Sequence, residues 1–281
     1  MKVVRTVDEV RAELAPYRAA VAIGLVPTMG ALHDGHRSLL RAARQAVDAV
    51  VVSLFVNPLQ FGPHEGFSAY PRGEGADLAV CEQERADVVF APSAEEMAME
   101  SGVTTVTVAG LSEIVEGRAR PSHFEGVCTV VAKLLNIVRP DVLYLGQKDV
   151  QQNAIIARLV EDLSYGVSIT VCPTVRQPDG LALSSRNAYL SSSQLTDAAV
   201  LHRALLAGRA RIEQGATPEE AEREMQEILA ARQGVEPDYA RAVDPHSFKA
   251  PKDEGPVLLV VAARVGGARL IDNLTAHRAR G

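Results

Sequence analysis

Short, almost wholly apolar segments alternate with segments of helical periodicity between residues 8 and 173. Strands are predicted at 21–28, 51–58, 87–92, 104–110, 141–146 and 167–173. Helices are predicted at 8–19, 37–50, 74–85, 124–138 and 149–163. Because strands that are apolar along their whole length must be covered on both faces, the pattern predicts an α/β fold with a parallel sheet and helices on both faces.

The character of the sequence changes after about residue 176. The predicted elements there are a polar loop at 178–194, two helices within 195–233, and strands at 236–243, 256–263 and 267–272. The chain of 281 residues is long enough for two unequal domains. We therefore predict a first domain at 1–175 and a smaller α+β domain at 176–281.

Charge and cysteine usage exclude several classes of protein. The net charge of −6 argues against a nucleic-acid-binding protein with a basic face. Cys81, Cys128 and Cys172 are widely separated, which indicates reduced thiols rather than a disulfide framework or a zinc site. The N-terminus has no apolar signal-peptide core, and no apolar run reaches the ~20 residues that span a bilayer. We expect a cytoplasmic protein with no membrane and no nucleic-acid partner.

The first polar motif, PTMGALHDGH at 27–36, follows a predicted strand and opens a helix. Ligands bind at the carboxyl ends of strands in open α/β sheets, and a helix N-terminus favours phosphate. Gly30 and Gly35 allow the backbone to approach a ligand closely. His33 and His36 can donate hydrogen bonds to phosphate oxygens and stabilise charge that develops on them. The alternative is a tight loop with two surface histidines.

A second motif, GQKD at 146–149, also follows a predicted strand directly. Lys148 can pair with phosphate, and Asp149 can accept hydrogen bonds from ribose hydroxyls. Gln152, one turn into the next helix, can present an amide to a hydroxylated substrate. The alternative is a solvated helix start with Asp149 as its cap.

Three further motifs carry polar side chains in loops. LSSRN at 183–187 combines two hydroxyls with a guanidinium and is either a triphosphate clamp or an ordinary serine-rich linker. Asn57 and Gln60 lie at the end of the second predicted strand, and such neutral amides suit a small hydroxylated acid. RPSHF at 120–124 leads into a helix, and a plain helix start and a functional role both stay open. Because loops after neighbouring parallel strands open at one edge of the sheet, the combination predicts a site for ATP and a small acid.

Taken together, these residues resemble the pantothenate synthetase family. The matching segments are VPTMGALHDGH (26–36), FVNPLQFGP (55–63), YPR (70–72), RPSHFEGVCTVVAKLLNIVRPD (120–141), GQKDVQQ (146–152), PTVR (173–176), DGLALSSRN (179–187) and RLIDN (269–273). His-x-Gly-His and the Ser-Ser-Arg loop also resemble the two signature motifs of the nucleotidyltransferase and class I aminoacyl-tRNA synthetase superfamily. The resemblance extends over nearly the whole chain.

The resemblance implies a Rossmann-like domain at 1–175 that binds ATP and pantoate, a C-terminal lid domain at 176–281, and a homodimer. It implies the ATP- and Mg²⁺-dependent condensation of (R)-pantoate with β-alanine through a pantoyl-adenylate, with release of AMP and pyrophosphate. Two alternatives are another adenylate-forming or nucleotidyl-transferring enzyme of the superfamily, and a non-catalytic nucleotide-binding regulator. The product of a nucleotidyltransferase would retain the nucleotide.

The resemblance also assigns roles to individual residues. The ATP-binding residues are Met29, Gly30, Ala31, Leu32, His33, Asp34, Gly35, His36, Gly146, Gln147, Lys148, Asp149, Val175, Leu183, Ser184, Ser185 and Arg186. His36 is the catalytic histidine, and His33, Lys148 and Arg186 are expected to stabilise charge with it. Gln60 and Gln152 would bind pantoate, and Gln60 would also border the β-alanine site. From its residue type and place after a strand, Asn57 is a further candidate for binding pantoate.

The segment that would supply metal ligands departs from the family pattern. Gly66, Ser68, Ala69 and Ala76 stand where the family commonly has acidic residues. Glu74 and Asp77 remain as acidic residues in this stretch, and Asp77 is the candidate protein ligand for Mg²⁺.

Overall fold

A computed structural model describes residues 1–18, 21–62 and 66–278. Within these ranges the strands are β1 (Lys2–Val4), β2 (Ile23–Thr28), β3 (Ala49–Leu54), β4 (Val88–Phe90), β5 (Val142–Gly146), β6 (Ser168–Cys172), β7 (Val235–Val243), β8 (Gly255–Val265) and β9 (Ala268–Arg278). The helices are α1 (Val7–Leu14), α2 (Asp34–Ala46), α3 (Glu74–Gln83), α4 (Ala94–Met97), α5 (Glu116–Ala119), α6 (His123–Val138), α7 (Val150–Asp162), α8 (Ser192–Ala198), α9 (Val200–Glu213) and α10 (Pro218–Ala230).

The chain divides into two compact units. The first comprises Met1–Gln147 and Gln152–Pro173, and the second comprises Lys148–Gln151 and Thr174–Gly281. The short segment at Lys148–Gln151 therefore belongs to the second unit, although its neighbours in sequence belong to the first. No helix in the described part of the chain has the length and apolar character needed to cross a membrane.

The first unit is built on a parallel sheet, whose described strands have the order β1-β4-β3-β2-β5-β6. Successive residues of β2 point to opposite faces, and both are buried: Leu25 packs in a core with α1, α6 and α7, and Val26 packs in a second core with α2 and α3. The sheet is therefore covered by helices on both faces. The predicted α/β fold class is confirmed.

The strand predicted at 104–110 is absent, and the chain there is irregular. Val106 and Val108 reproduce the alternation of a strand because both pack on the first core. Their backbone is not paired in the sheet, since the Val106 N–H donates to Thr129 Oγ1 on α6 at 3.0 Å. The alternation of apolar residues therefore predicted correctly that these side chains are buried, but it predicted wrongly that their backbone pairs in the sheet.

The first strand was not predicted from the sequence, and the first helix, predicted at 8–19, begins at Val7 and ends at Leu14. β1 pairs with β4 over three residues, and only Val4 of the three is buried. Helix α1 begins after Thr6, whose hydroxyl accepts the Glu9 N–H while the Glu9 carboxylate accepts the Thr6 N–H. This reciprocal cap defines the start of the helix.

The second unit contains an antiparallel sheet of described strands in the order β7-β8-β9. Helices α9 and α10 cover one face, and their buried side chains form a core with alternate residues of β8 such as Leu259 and Val261. Strands β8 and β9 are joined by a tight turn at Gly266 and Gly267. Both strands are longer than predicted, because each continues beyond the apolar residues that signalled it. The predicted smaller α+β part is confirmed.

Candidate functional site

Three polar segments follow β2, β3 and β5 at the carboxyl ends of these strands in the first sheet. Strand β2 lies between β3 and β5, and all three are parallel. Thr28 is paired with Leu54, and the offset between β2 and β5 places Gly146 level with Thr28. The segments that begin at Met29 and Phe55 therefore start beside the end of β5. The sequence predicted this arrangement from apolar runs alone.

The two histidines of the first motif form the N-terminal cap of α2. His33 Nδ1 accepts the Gly35 N–H at 3.1 Å, and His36 Nδ1 accepts the His33 N–H at 3.1 Å. Because each Nδ1 accepts a hydrogen bond, the proton of each neutral imidazole lies on Nε2. The ring centroids are 4.1 Å apart. The start of this helix thus combines two Nε2–H donors with the positive end of the helix dipole, which suits a phosphate group.

The loop before this helix has a constrained backbone that one carboxylate stabilises. Gly30 and Ala31 have φ values of 79° and 51°. Asp77, in the first turn of α3, accepts the Ala31 N–H at 2.9 Å and the Leu32 N–H at 2.8 Å, one with each oxygen. Its side chain is buried. Asp77 therefore fixes a left-handed loop that most side chains would disfavour.

The same residue was predicted to bind Mg²⁺. Both Asp77 oxygens are engaged by backbone N–H groups, and no cluster of three or more acidic, histidine or cysteine side chains that could hold a metal occurs in the described ranges. The magnesium role of Asp77 stays a prediction, and its observed contacts are with the loop.

The three thiols are buried and unsuited to nucleophilic chemistry. Burial raises the pKa of Cys81 to about 12, with the Asp77 charge adding to the effect, and burial raises the pKa of Cys128 to about 11. Burial also raises the pKa of Cys172. All three are free cysteines, as the sequence predicted. Because the thiolate is the nucleophile, these side chains stay inert near neutral pH.

The amides at the end of β3 occupy different environments. Asn57 is fully buried, its Oδ1 accepts the Leu59 N–H at 3.2 Å, and its Nδ2 donates to Gly126 O at 2.9 Å. The Asn57 amide is thereby used to cap a short 3₁₀ turn that contains Gln60. Gln60 is only partly buried. The pantoate roles of both residues stay predictions, and the contacts of Asn57 favour a supporting role.

A cavity in the second unit brings several predicted ATP-binding residues together. Lys148, Ser184 and Arg186 line it with residues of β9 and of the 181–182 segment. Ser184 Oγ accepts the Arg186 N–H at 3.2 Å and caps the 3₁₀ helix that follows. Arg269 and Asp272 also line the cavity, and neither was assigned a role from the sequence. Both residues belong to the RLIDN segment (269–273), which resembles the family pattern but had not been given a role in the site.

An ion pair between partly buried Arg176 and buried Asp272 supports this cavity. Arg176 donates to both Asp272 oxygens, at 2.6 and 2.9 Å, and also to Gly180 O at 3.0 Å. The next residue on β9, Asn273, donates from Nδ2 to Lys148 O at 2.9 Å. Burial and the nearby Arg176 charge lower the pKa of His202, whose Nδ1 lies 3.9 Å from Asp272. Strand β9 thus holds the backbone at Lys148 and the loop that follows Arg176.

We expect Asp272→Ala to lower the free energy of unfolding by about 3 kcal/mol, because it leaves the Arg176 guanidinium without its buried partner. Urea unfolding followed by far-UV circular dichroism measures the change. The control is Asp253→Ala, which removes the fully exposed partner of Arg278. Exposed pairs contribute little, so the control should unfold like the unmodified protein. Equal effects of the two substitutions would contradict a structural role for the buried pair.

Comparisons with known proteins identify the family to which the chain belongs. The sequence model of the family described as pantoate-beta-alanine ligase matches residues 2–275. The pantothenate synthetase of Koribacter versatilis is 47% identical over 285 residues, which cover 99% of this chain and 97% of that protein. The crystal structure of pantothenate synthetase from Thermus thermophilus is 45% identical, with a TM-score of 0.91 and coverage of 98% of this chain and 99% of that one.

A third relative was crystallised with ligands. It is the pantoate-beta-alanine ligase of Francisella tularensis, described as complexed with beta-gamma ATP and beta-alanine. It is 33% identical, with a TM-score of 0.82 and coverage of 98% of this chain and 97% of that one. The match extends over both units, including the segments that carry the capped histidines and the Ser-Ser-Arg loop. By sequence, by fold and by the extent of both matches, this chain belongs to the pantoate–β-alanine ligase family.

Proposed function

We propose that this protein condenses (R)-pantoate with β-alanine to pantothenate, converting ATP to AMP and pyrophosphate. The observation that carries the proposal is the N-terminus of α2, where two imidazoles with Nε2–H groups lie at the positive end of a helix. Its place at the carboxyl end of β2, in a chain of this family, suits binding of a polyphosphate.

The first step forms an acyl-adenylate. A pantoate carboxylate oxygen attacks the α-phosphorus of ATP, a bond from oxygen to phosphorus forms, and the bond to the bridging oxygen breaks as pyrophosphate leaves. Negative charge grows on the phosphoryl oxygens. His33 and His36 donate to these oxygens, and Lys148 and Arg186 add positive charge to the phosphates.

The second step forms the amide. The uncharged amine of β-alanine attacks the acyl carbon of the adenylate, the bond from carbon to nitrogen forms, the bond from carbon to the adenylate oxygen breaks, and AMP leaves. The amine loses a proton to solvent water in this step. No side chain becomes covalently attached, which is consistent with the buried, protonated thiols.

The amide side chains are proposed to select the acid. Gln60 and Gln152 present amide groups that can both donate and accept hydrogen bonds, which suits the hydroxyls and carboxylate of pantoate. Gln60 also borders the β-alanine site in this proposal. Asn57 contributes by shaping the turn that carries Gln60.

Mg²⁺ is proposed to arrive with ATP, with phosphate and water oxygens as its main ligands, because this ion keeps several waters readily. A cytoplasmic homodimer without nucleic-acid or membrane partners completes the proposal. Support for dimerisation comes from β6, which lies at one edge of the described sheet with Thr170 and Val171 exposed. Exposed edge strands commonly pair or are covered.

Isotope exchange tests the adenylate step. With pantoate and without β-alanine, labelled pyrophosphate should exchange into ATP, because the first step is reversible and needs no amine. Pantoate labelled with ¹⁸O in its carboxylate should transfer one labelled oxygen to AMP when β-alanine is added. AMP formation without exchange or label transfer would contradict the adenylate, and a product that retains the nucleotide would indicate a nucleotidyltransferase.

A further inference from the structure

Two side chains, one directly after α5 and one at the start of α6, converge on one backbone carbonyl of the turn that carries Gln60. Gln60 O accepts a hydrogen bond from Arg120 Nη2 at 3.1 Å and lies 2.8 Å from His123 Nδ1. Arg120 is buried, and Glu116, also buried, lies 3.7 Å from its guanidinium. The Glu116 carboxylate restricts the position of the Arg120 guanidinium, so Arg120 donates to Gln60 O from a fixed place.

The hydrogen bonds determine which nitrogen of His123 carries the proton. Arg120 Nη1 lies 3.1 Å from His123 Nε2, and a guanidinium can only donate. His123 Nε2 is therefore the acceptor, and Nδ1 carries the proton and donates to Gln60 O. The two hydrogen bonds therefore run in one direction: Arg120 donates to His123, and His123 donates to the backbone carbonyl of the turn.

The other end of the same turn is fixed by direct backbone packing on α6. Asn57 Nδ2 donates to Gly126 O. A Cβ atom at Gly126 would lie 2.2 Å from Leu59 O, so only glycine allows this approach. The turn is thus held at its start by Asn57 and at its end by Arg120 and His123, with little freedom between them.

We infer that Arg120 and His123 are positioning residues that set the place of the Gln60 side chain, and through it the affinity for pantoate. The inference rests on the proposed function, because it assumes that Gln60 binds pantoate. The two residues hold the backbone carbonyl of Gln60, so their loss frees the residue that carries the amide. Gln60 itself then binds the same acid with a looser geometry.

Two amide substitutions at His123 separate this role from general stability. The amide nitrogen of asparagine can occupy the place of Nδ1, whereas that of glutamine reaches the place of Nε2. His123→Asn therefore keeps the donor to Gln60 O, and His123→Gln and His123→Ala lose it. The exposed His246→Gln serves as a matched control.

The experiment measures pantoate-dependent exchange of pyrophosphate into ATP, together with the thermal unfolding midpoint. We expect His123→Gln and His123→Ala to raise the KM for pantoate about ten-fold, as loss of one buried hydrogen bond predicts. The KM for ATP should stay unchanged, and His123→Asn and His246→Gln should resemble the unmodified protein in both KM values. The two amide variants should have similar unfolding midpoints.

The outcomes distinguish the inference from the proposed function. If the unmodified protein shows no pantoate-dependent exchange, the proposed function fails and the inference fails with it. If exchange occurs and His123→Gln leaves the KM for pantoate unchanged, or raises both KM values equally, only the inference is overturned. The same holds if His123→Asn behaves like His123→Ala while remaining equally stable.

Discussion

Replacing His36 with alanine is expected to lower kcat by about 10²–10³-fold, as loss of a single donor to a developing anion does in other enzymes. The physical reason is the tautomer: His36 Nδ1 accepts the His33 N–H, so its proton lies on Nε2, the nitrogen that is proposed to donate to phosphate. The measurement is the rate of AMP formation at saturating ATP, pantoate and β-alanine. Turnover equal to that of the unmodified protein would show that His36 is not catalytic.

Two matched substitutions distinguish the role of the His36 Nε2–H as a donor from the role of Nδ1 in capping α2. The amide oxygen of His36→Asn can take the place of Nδ1 and accept the His33 N–H, but no donor remains near the Nε2 position. His36→Gln places an amide donor near that position. We expect His36→Asn to be as stable as the unmodified protein and as slow as His36→Ala, and His36→Gln to retain more activity than either. If His36→Asn retains full activity, the Nε2–H has no catalytic role.

Replacing Gly30 with alanine is expected to impair both folding and ATP use. Gly30 has a φ of 79°, and an added Cβ would lie 2.7 Å from Asp77 Oδ2. The left-handed conformation alone costs about 1–2 kcal/mol for alanine. Displacing Asp77 also weakens two charge-assisted hydrogen bonds to the loop, each worth about 1.5–3 kcal/mol. We expect a loss of stability of at least about 2 kcal/mol and a fall in kcat/KM for ATP of at least about ten-fold.

The control for Gly30→Ala is Gly215→Ala. Gly215 also has a positive φ, of 91°, but an added Cβ would have nothing within 4 Å. This substitution carries the backbone cost without the contact to Asp77, and it lies just after α9. Chemical denaturation and the ATP dependence of AMP formation measure both variants. If Gly215→Ala lowers kcat/KM for ATP as much as Gly30→Ala does, the contact with Asp77 is irrelevant to the site.

The sequence predicted the features that depend on local pattern. Apolar runs identified β2, β3 and β5, and the rule that parallel strands open at one edge placed the motifs that follow them. The position of His33 and His36 at a helix start was also readable from glycines and helical periodicity. These features need only short-range information.

The features that the sequence could not predict depend on contacts between distant residues. Asp77 meets Ala31 across 46 positions, and no local pattern signals that contact. Asn57 was predicted to bind a ligand from its residue type and its place after a strand, and its contact with Gly126, 69 positions away, could not be read from the sequence. The prediction for segment 104–110 failed for a related reason, because packing on a helix and pairing in a sheet can produce the same alternation.

The hydrogen bond between Asn273 and Lys148 has a consequence for expressing the protein as two fragments. Four residues at Lys148–Gln151 group with the C-terminal part of the chain, although they are encoded upstream of Pro173. A fragment that stops at Pro173 contains Lys148 but lacks the β9 amide that holds its carbonyl. Split-gene versions of this protein therefore require reassociation of both fragments to restore the native surroundings of that lysine.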